Sequence, residues 1–350
     1  MRTPLHRGRI GAAPAILILL ATSCDSAIVD PGPVDQSLGV PDWPEDAADP
    51  GGGTASAVPR SRMAFGMCLE WGWDASFNDV CTVGGIVIRD VGGSETRVLA
   101  ADDFYPDDPA WSPDGSKIAF TAYPHCDAAP CTRDIYVMNA DGSSLTRLTT
   151  SADAGGAEPA WTPDGLRIAY VGLTHSTGTF THRLRVMNAD GSGSATLGNL
   201  LGSNPAWSPD GTQLAFAAPG DGSWRIHVAD ADGSNARALT GEPDANDYRP
   251  SWSPDGQRIA FTRSWRHADG SGSCEVFVMD TDGSNLTQLT DDSFCAHDAA
   301  WSPDGAMIAY NGIQSEGDLG IKLVHADGHG ASLLRRTYGW PSRVAWEPMP

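Results

Sequence analysis

Apolar residues in this chain come in short runs set between tight polar turns, and past the N-terminus no stretch carries helical periodicity. Between Pro109 and Leu148, the entry Pro109-Ala110-Trp111 leads into Ser112-Pro113-Asp114-Gly115. Proline presets the backbone angle of a type I turn, and glycine tolerates the positive φ at its end. Lys117-Ile118-Ala119-Phe120 then reads as a strand, and Ile135-Tyr136-Val137-Met138 as another. Asn139-Ala140-Asp141-Gly142-Ser143 makes a second tight turn, and Leu145 to Thr149 completes a fourth strand. The third strand is apolar on both faces (Phe277, Val278 and Met279 in another copy), which predicts a sheet covered on both sides.

This unit recurs. Trp-Ser-Pro-Asp-Gly starts at Trp111, Trp207, Trp252 and Trp301, Trp-Thr-Pro-Asp-Gly at Trp161, and a truncated copy at Trp346. The intervals are 50, 46, 45, 49 and 45 residues, the period of a repeat array. The two ends complement each other. Arg62 to Phe65, Ile86 to Ile88 and Glu95 to Leu99 match the second, third and fourth strands of a unit without its Trp strand, whereas Val344-Ala345-Trp346 is a Trp strand alone. Joined, they predict an all-β, six-bladed β-propeller, closed by pairing the C-terminal strand with the N-terminal blade so that no edge is left open.

The repeated phrase resembles the TolB-type β-propeller repeat over residues 59–350. The resemblance implies the propeller module only, without the α/β domain that precedes it in TolB. It is strong for the fold and weak for activity, since propellers host many functions. Propellers of this type also precede the hydrolase domain of prolyl-oligopeptidase-like enzymes. The chain carries no Gly-x-Ser-x-Gly elbow, so a peptidase is not expected.

At the N-terminus, Arg2, Arg7 and Arg9 precede an apolar run from Ala12 to Ala21 that is too short to span a bilayer and reads as a secretory signal. It ends Leu20-Ala21-Thr22-Ser23-Cys24, which resembles a bacterial lipobox. The expectation is a lipoprotein-type signal over 1–23, lipidation at Cys24, a disordered Pro/Gly/Asp-rich tether over 24–58, and a propeller over 59–350. The protein is then exported, and touches the membrane only through a lipid anchor.

Six further cysteines form an even set, as suits an exported protein. Fifteen connectivities are open. The propeller arrangement implied by the resemblance groups Cys68 with Cys81, Cys126 with Cys131, and Cys274 with Cys295, all at one end of the blades. Irregular spacing without a Cys-x-x-Cys pair argues against zinc.

Following the chain direction, the repeated turns fall on a lower face and the variable loops on an upper face, where function usually resides. Three residues before each Trp stand Asp108, Glu158, Asn204, Arg249, Asp298 and Arg343. Innermost strands line the axis, so these six predict a polar collar at the upper mouth. Mutual ion pairing would make it structural; a rim for a peptide or small polar ligand is the functional alternative, with arginine suited to carboxylates. His125 and His175 occupy matching places in neighbouring repeats, and His182, His267 and His297 also map upward. Related six-bladed lyases gather histidines around a metal, a weak parallel, and solvated loop histidines are expected instead. The Asp-x-Asp-Gly-Ser runs at Asp230 and Asp280 lack the spacing of an EF-hand and read as hairpin turns.

The net charge is −21, and about −24 without the three leader arginines, which disfavours nucleic acid and bare anionic lipid. The expected function is a non-catalytic, envelope-tethered binding or scaffold module, monomeric and without a cofactor or metal. Its upper face would bind an envelope protein, a peptide or a small polar ligand. The alternative is a carbohydrate-active or metal-dependent enzyme of lyase or hydrolase type, with its site in the upper funnel.

Overall fold

The computed structural model describes residues 62–73, 79–91, 96–100, 104–124, 133–150, 155–176, 179–266, 272–291, 295–313, 319–337 and 342–349. The expected leader, tether and Cys24 lie outside these residues, as do His125, Cys126, Cys131 and His267.

The alternating runs and turns form six four-stranded sheets among the described residues. Blade 1 contains β1 (Arg62–Trp73), β2 (Asp79–Asp90) and β3 (Thr96–Ala100). Blade 2 runs through β4 (Phe104–Trp111), β5 (Lys117–Pro124), β6 (Asp134–Asn139) and β7 (Thr146–Arg147). Blade 3 follows with β8 (Ala157–Trp161), β9 (Arg167–Ser176), β10 (Thr179–Asn188) and β11 (Ala195–Leu201). Blade 4 comprises β12 (Ser203–Trp207), β13 (Gln213–Pro219), β14 (Trp224–Asp230) and β15 (Arg237–Ala238). Blade 5 comprises β16 (Ala245–Trp252), β17 (Arg258–Arg266), β18 (Gly272–Asp280) and β19 (Thr287–Gln288). Blade 6 comprises β20 (Ala296–Trp301), β21 (Met307–Ile313), β22 (Leu319–His325) and β23 (Ser332–Thr337). The last strand, β24 (Ala345–Trp346), returns to blade 1 and pairs antiparallel with β1 through Met63–Trp346 and Ala64–Ala345. The predicted closure is therefore present.

Each turn after a Trp is held by its own side chains. The Ser112 hydroxyl donates to Asp114, Lys117 N–H donates back to Ser112 Oγ at 2.9 Å, and Gly115 takes a φ of 67°. Hydrogen bonds from Ser112 and Ser116 to the ionised carboxylate push the Asp114 pKa down to about 2. Repetition of this device explains why the phrase is spelled the same way in blade after blade.

The core lies between blades. Ile86 and Ile88 of blade 1 pack with Trp111, Ile118 and Phe120 of blade 2, and the same pattern continues around the ring. The indole N–H groups of Trp161, Trp252 and Trp346 each donate to a carbonyl of the preceding blade, those of Ala110, Ala206 and Ala300. At the closure Met63, Phe65, Val344 and Trp346 pack with Ala309, Ile321 and Leu323 of blade 6. Arg62 makes a two-pronged ion pair with Glu347, and its guanidinium also lies over the Trp111 ring at 5.5 Å.

Only two residue pairs join β24 to β1, so one aromatic side chain carries much of the closure. Trp346→Ala is expected to cost about 3–5 kcal/mol, by lost burial and the cavity left behind. Glu347→Ala, which breaks a partly exposed ion pair, should cost about 1 kcal/mol or less. Denaturant melts of the two variants check this; a Trp346→Ala protein as stable as wild type would mean that the ring does not rely on this strand.

Candidate functional site at the propeller axis

The innermost strands share a backbone irregularity. In β4, β8, β12, β16 and β20 the pairing with the second strand skips two residues, between Asp107 and Ala110, Ala157 and Ala160, Ser203 and Ala206, Tyr248 and Ser251, and His297 and Ala300. The first skipped residue is left-handed each time: Asp108 (φ 47°), Glu158 (58°), Asn204 (55°), Arg249 (55°) and Asp298 (64°). The second is Pro109, Pro159, Pro205, Pro250 or Ala299. Proline has no N–H to offer a ladder, so it is at home in a bulge. Left-handed backbone at a non-glycine residue costs of order 1–3 kcal/mol, and such strain gathers where side chains must be aimed.

Five of the six predicted collar residues are thus the bulged residues, and hydrogen bonds link them around the ring. Glu158 accepts from Asn204 N–H, and Asn204 Oδ1 accepts from Arg249 N–H at 3.3 Å. Arg249 Nε then reaches Asp298 Oδ1 at 2.9 Å. Asp298 also takes His297 Nδ1 at 2.9 Å and Asn311 Nδ2 at 3.1 Å. Thr121 and Thr262 on the second strands accept the N–H groups of Glu158 and Asp298. One strand position outward, Asp247 is buried against Arg263, with contacts of 2.7 and 3.0 Å.

Arg249 does more than join its neighbour. Its Nη1 lies 3.4 Å from Asp108 Oδ1, and Asp108 stands on blade 2, diametrically opposite blade 5. The guanidinium therefore spans the axis. Burial opposes its charge, but Asp298, Asp108, Glu158 and Asp107 around it raise its pKa. Burial likewise works against the Asp298 carboxylate, yet Arg249 and His297 hold its pKa well below the usual range. Glu158 is raised, by burial first and the Asp108 charge second. Arg343 behaves differently from Arg249: its described hydrogen bond runs from Nη2 to the Pro250 carbonyl, 3.2 Å away.

Two cavities lie on either side of this crossbar. Above it, a pocket of about 390 Å³ is lined by Ser203, Asn204, Tyr248, Arg249, His297 and Asp298, with Glu158, Thr262, Ser264 and Cys274 completing the wall. Cys274 is disulfide-bonded to Cys295, with Cα atoms 4.6 Å apart, which staples β18 of blade 5 to the start of β20 in blade 6. Tyr248 rests on Trp224, ring centroids 5.7 Å apart. Below the crossbar, a cavity of about 200 Å³ is walled by residues one and two places before the tryptophans, with Arg343.

The upper pocket adds Ser203, Tyr248 and His297, each one residue before a collar residue. Strict two-residue alternation aims one of two neighbours at the axis, whereas a left-handed bulge lets both line the pocket. The repeated X-Pro step before Ala-Trp was the available signal. His175 lies on β9 opposite Phe180. His182, on β10, has its pKa lowered by burial and by Arg133. Cys68 and Cys81 stand on β1 and β2, which extend through the segment expected to be a loop. Among the described residues no group of three or more His, Cys, Asp or Glu is placed to hold a metal. No helix among them is long and apolar enough to cross a membrane.

A family model described as the TolB beta propeller domain matches residues 159–348, more than half of the chain. The chain belongs to the TolB β-propeller family. Among solved structures, TolB from Acinetobacter baumannii is similar at 21% identity and a TM-score of 0.64, over 83% of this chain and 67% of that one. A putative TolB from Agrobacterium tumefaciens matches at 18% identity and 0.61, over 83% and 99%. A puromycin-hydrolyzing peptidase of Mycobacterium tuberculosis matches at 18% and 0.54, over 79% of this chain and 45% of its own. At these identities the likeness is one of fold. A search of the curated proteins gives no match.

The electrostatics predict a pH dependence. Asp107 has its pKa pushed up to about 7 from an ordinary 3.8, by burial first and the Asp108 charge second. The folded TolB-family propeller holds this proton where the unfolded chain has lost it. The stabilisation is complete below about pH 4 and disappears as pH rises through about 7. Asp107→Asn should flatten that part of the stability–pH curve, measured by denaturant melts at closely spaced pH values; an unchanged slope between pH 4 and 7 would rule the effect out.

Proposed function

We propose that this protein is a non-catalytic binding or scaffold module of the bacterial envelope, using the upper face of its propeller to hold a protein, a peptide or a small polar ligand. The carrying observation is the pocket of about 390 Å³ built from paired positions on β12, β16 and β20 above the strained collar. Four of the six collar residues named from the sequence line it: Glu158, Asn204, Arg249 and Asp298. Its side chains offer hydroxyls, an amide and an aromatic face, the mixture expected of a recognition surface.

The pocket's chemistry suits holding more than transforming. Asp298 is committed to Arg249, His297 and Asn311, so it is poorly placed to take a proton from a substrate. This weighs against the alternative of a carbohydrate-active or metal-dependent enzyme. Export is supported by the secretory pattern of residues 1–23 and by the Cys274–Cys295 disulfide, a bond that persists in oxidising compartments. In this reading Cys24 carries the lipid and residues 24–58 hold the propeller clear of the membrane. The outermost strands of blades 2, 4 and 5 are two residues long, which gives another chain little edge to pair with and fits a monomer.

Affinity capture from the native cell envelope tests the proposal, with wild type beside Arg249→Ala/Asp298→Ala and beside Tyr248→Ala. The double variant alters the crossbar and Tyr248→Ala alters the pocket wall alone. A partner retained by wild type and reduced at least tenfold by both, with Tyr248→Ala melting near wild type, is the expected result. Equal capture by all three proteins would remove the upper face from consideration.

A further inference from the structure

The cavity beneath the crossbar holds an arginine that no described carboxylate touches. Of the two collar arginines, Arg249 is balanced by Asp298 and Asp108. Arg343 has no such contact: among the described residues no carboxylate lies within ion-pair distance of it, and one carbonyl, that of Pro250, accepts from its guanidinium. Burial lowers its pKa first and the charge of Arg249 second, while Asp108, Asp298 and Glu158 raise it from beyond contact distance. A guanidinium has five N–H donors in a planar fork, and on the half-buried Arg343 one of them has a described partner.

The surroundings define what could pair with it. All six blades contribute to the cavity, and apart from Arg343 and the Ser251 side chain its wall is made of proline, alanine, valine and tryptophan residues. These residues stand one and two places before the tryptophans, nearer the lower turns than the collar is, and Arg249 bars the axis above. At about 200 Å³ the space suits a body of a few carbon atoms. A planar cation in an otherwise apolar chamber matches a carboxylate borne on a small aliphatic group, which the fork can hold by two parallel hydrogen bonds.

We infer that the axial cavity is a carboxylate-binding site, entered from the lower face and anchored by Arg343, for a carboxyl group carried on a small apolar body. Two sources share this chemistry: a free short-chain monocarboxylic acid, and the C-terminal residue of a peptide. The lower mouth is ringed by turn carboxylates (Asp114, Asp164, Asp210, Asp255 and Asp304), each with its pKa lowered. They disfavour a bare anion at low salt and favour a terminus attached to a basic chain. The site lies across the crossbar from the upper pocket, and its test uses no envelope partner, so either proposal can fail without the other.

The test is calorimetric titration of the purified propeller with butyrate, N-acetylalanine, N-acetylalanine amide and sodium chloride. Acetyl-Lys-Lys-Ala-Ala is added as free acid and as amide. Saturable binding of the acids is expected, at least tenfold tighter than of the matching amides. Arg343→Gln should weaken it at least tenfold, and Arg343→Lys should fall between, keeping the charge but losing the fork. If the peptide acid binds more tightly than butyrate, and loses that advantage as salt rises, the source is a peptide terminus; the reverse order assigns a free acid. Acids and amides binding alike, chloride acting as well as butyrate, or Arg343→Gln titrating like wild type would each overturn the inference. Should Arg343→Gln not fold, the acid-against-amide comparison on wild type decides alone.

Discussion

A left-handed residue three places before each of five tryptophans turns the innermost strand out of register at the point where it meets the axis. Without it, strand alternation would aim every second side chain at the channel and bury the rest between blades. With it, consecutive residues both reach the axis, and each bulged N–H is released from the ladder. Thr121, Thr262 and the side chains of neighbouring collar residues accept those donors. Four of the five bulged N–H groups thus donate to a side chain of the preceding blade, and that of Asp108 donates to Asp107, so each strained position is held by a partner.

The ring's charges follow from that geometry. Asp107, Asp108, Glu158 and Asp298 crowd around Arg249, and Arg343 acts on three of them from further away. Two of them respond by holding their protons more tightly: Asp107 to about 7, and Glu158 also upward, with burial the leading cause in both. Asp298, in direct contact with Arg249, moves the other way. Burial and direct contact with a cation thus move Asp107 and Asp298 in opposite directions within the same small volume.

The blade count, the closure by Val344-Ala345-Trp346 and the turns were legible because each rests on local chemistry that repeats: a proline, an aspartate and a glycine at fixed offsets from a tryptophan. The collar positions were legible for the same reason, since they share one offset. What pairs with what was not. Arg249 and Asp108 are 141 residues apart and meet only because blades 5 and 2 face each other across the axis. Neighbour order in the ring places Arg343 between Asp298 and Asp108, yet its side chain reaches the Pro250 carbonyl instead. Ser203 and Tyr248 escaped notice, and His297 was read only as an upper-face histidine, because alternation assigns them to the opposite face, and only a bulge overrides that. Cys274 and Cys295 were paired by their place at one end of a blade, but Cys295 stands at the entrance to the next one, so the bond joins two blades.

A channel blocked at mid-height by its own arginine has consequences for how a TolB-family propeller can recognise anything. A partner approaching from above meets a shallow, mixed polar pocket whose formal charges are largely spent on one another, and must gain its affinity from hydroxyl, amide and aromatic contacts. One approaching from below meets acidic turns, then apolar side chains, then a cation with no described carboxylate in contact. These two surfaces cannot favour the same ligand. The residue that separates them also makes them electrostatic neighbours, since the charge of Arg249 acts on Arg343. Negative charge brought to Arg343 from below also lies close to Arg249, and the pull of Asp108 and Asp298 on Arg249 then has a competitor.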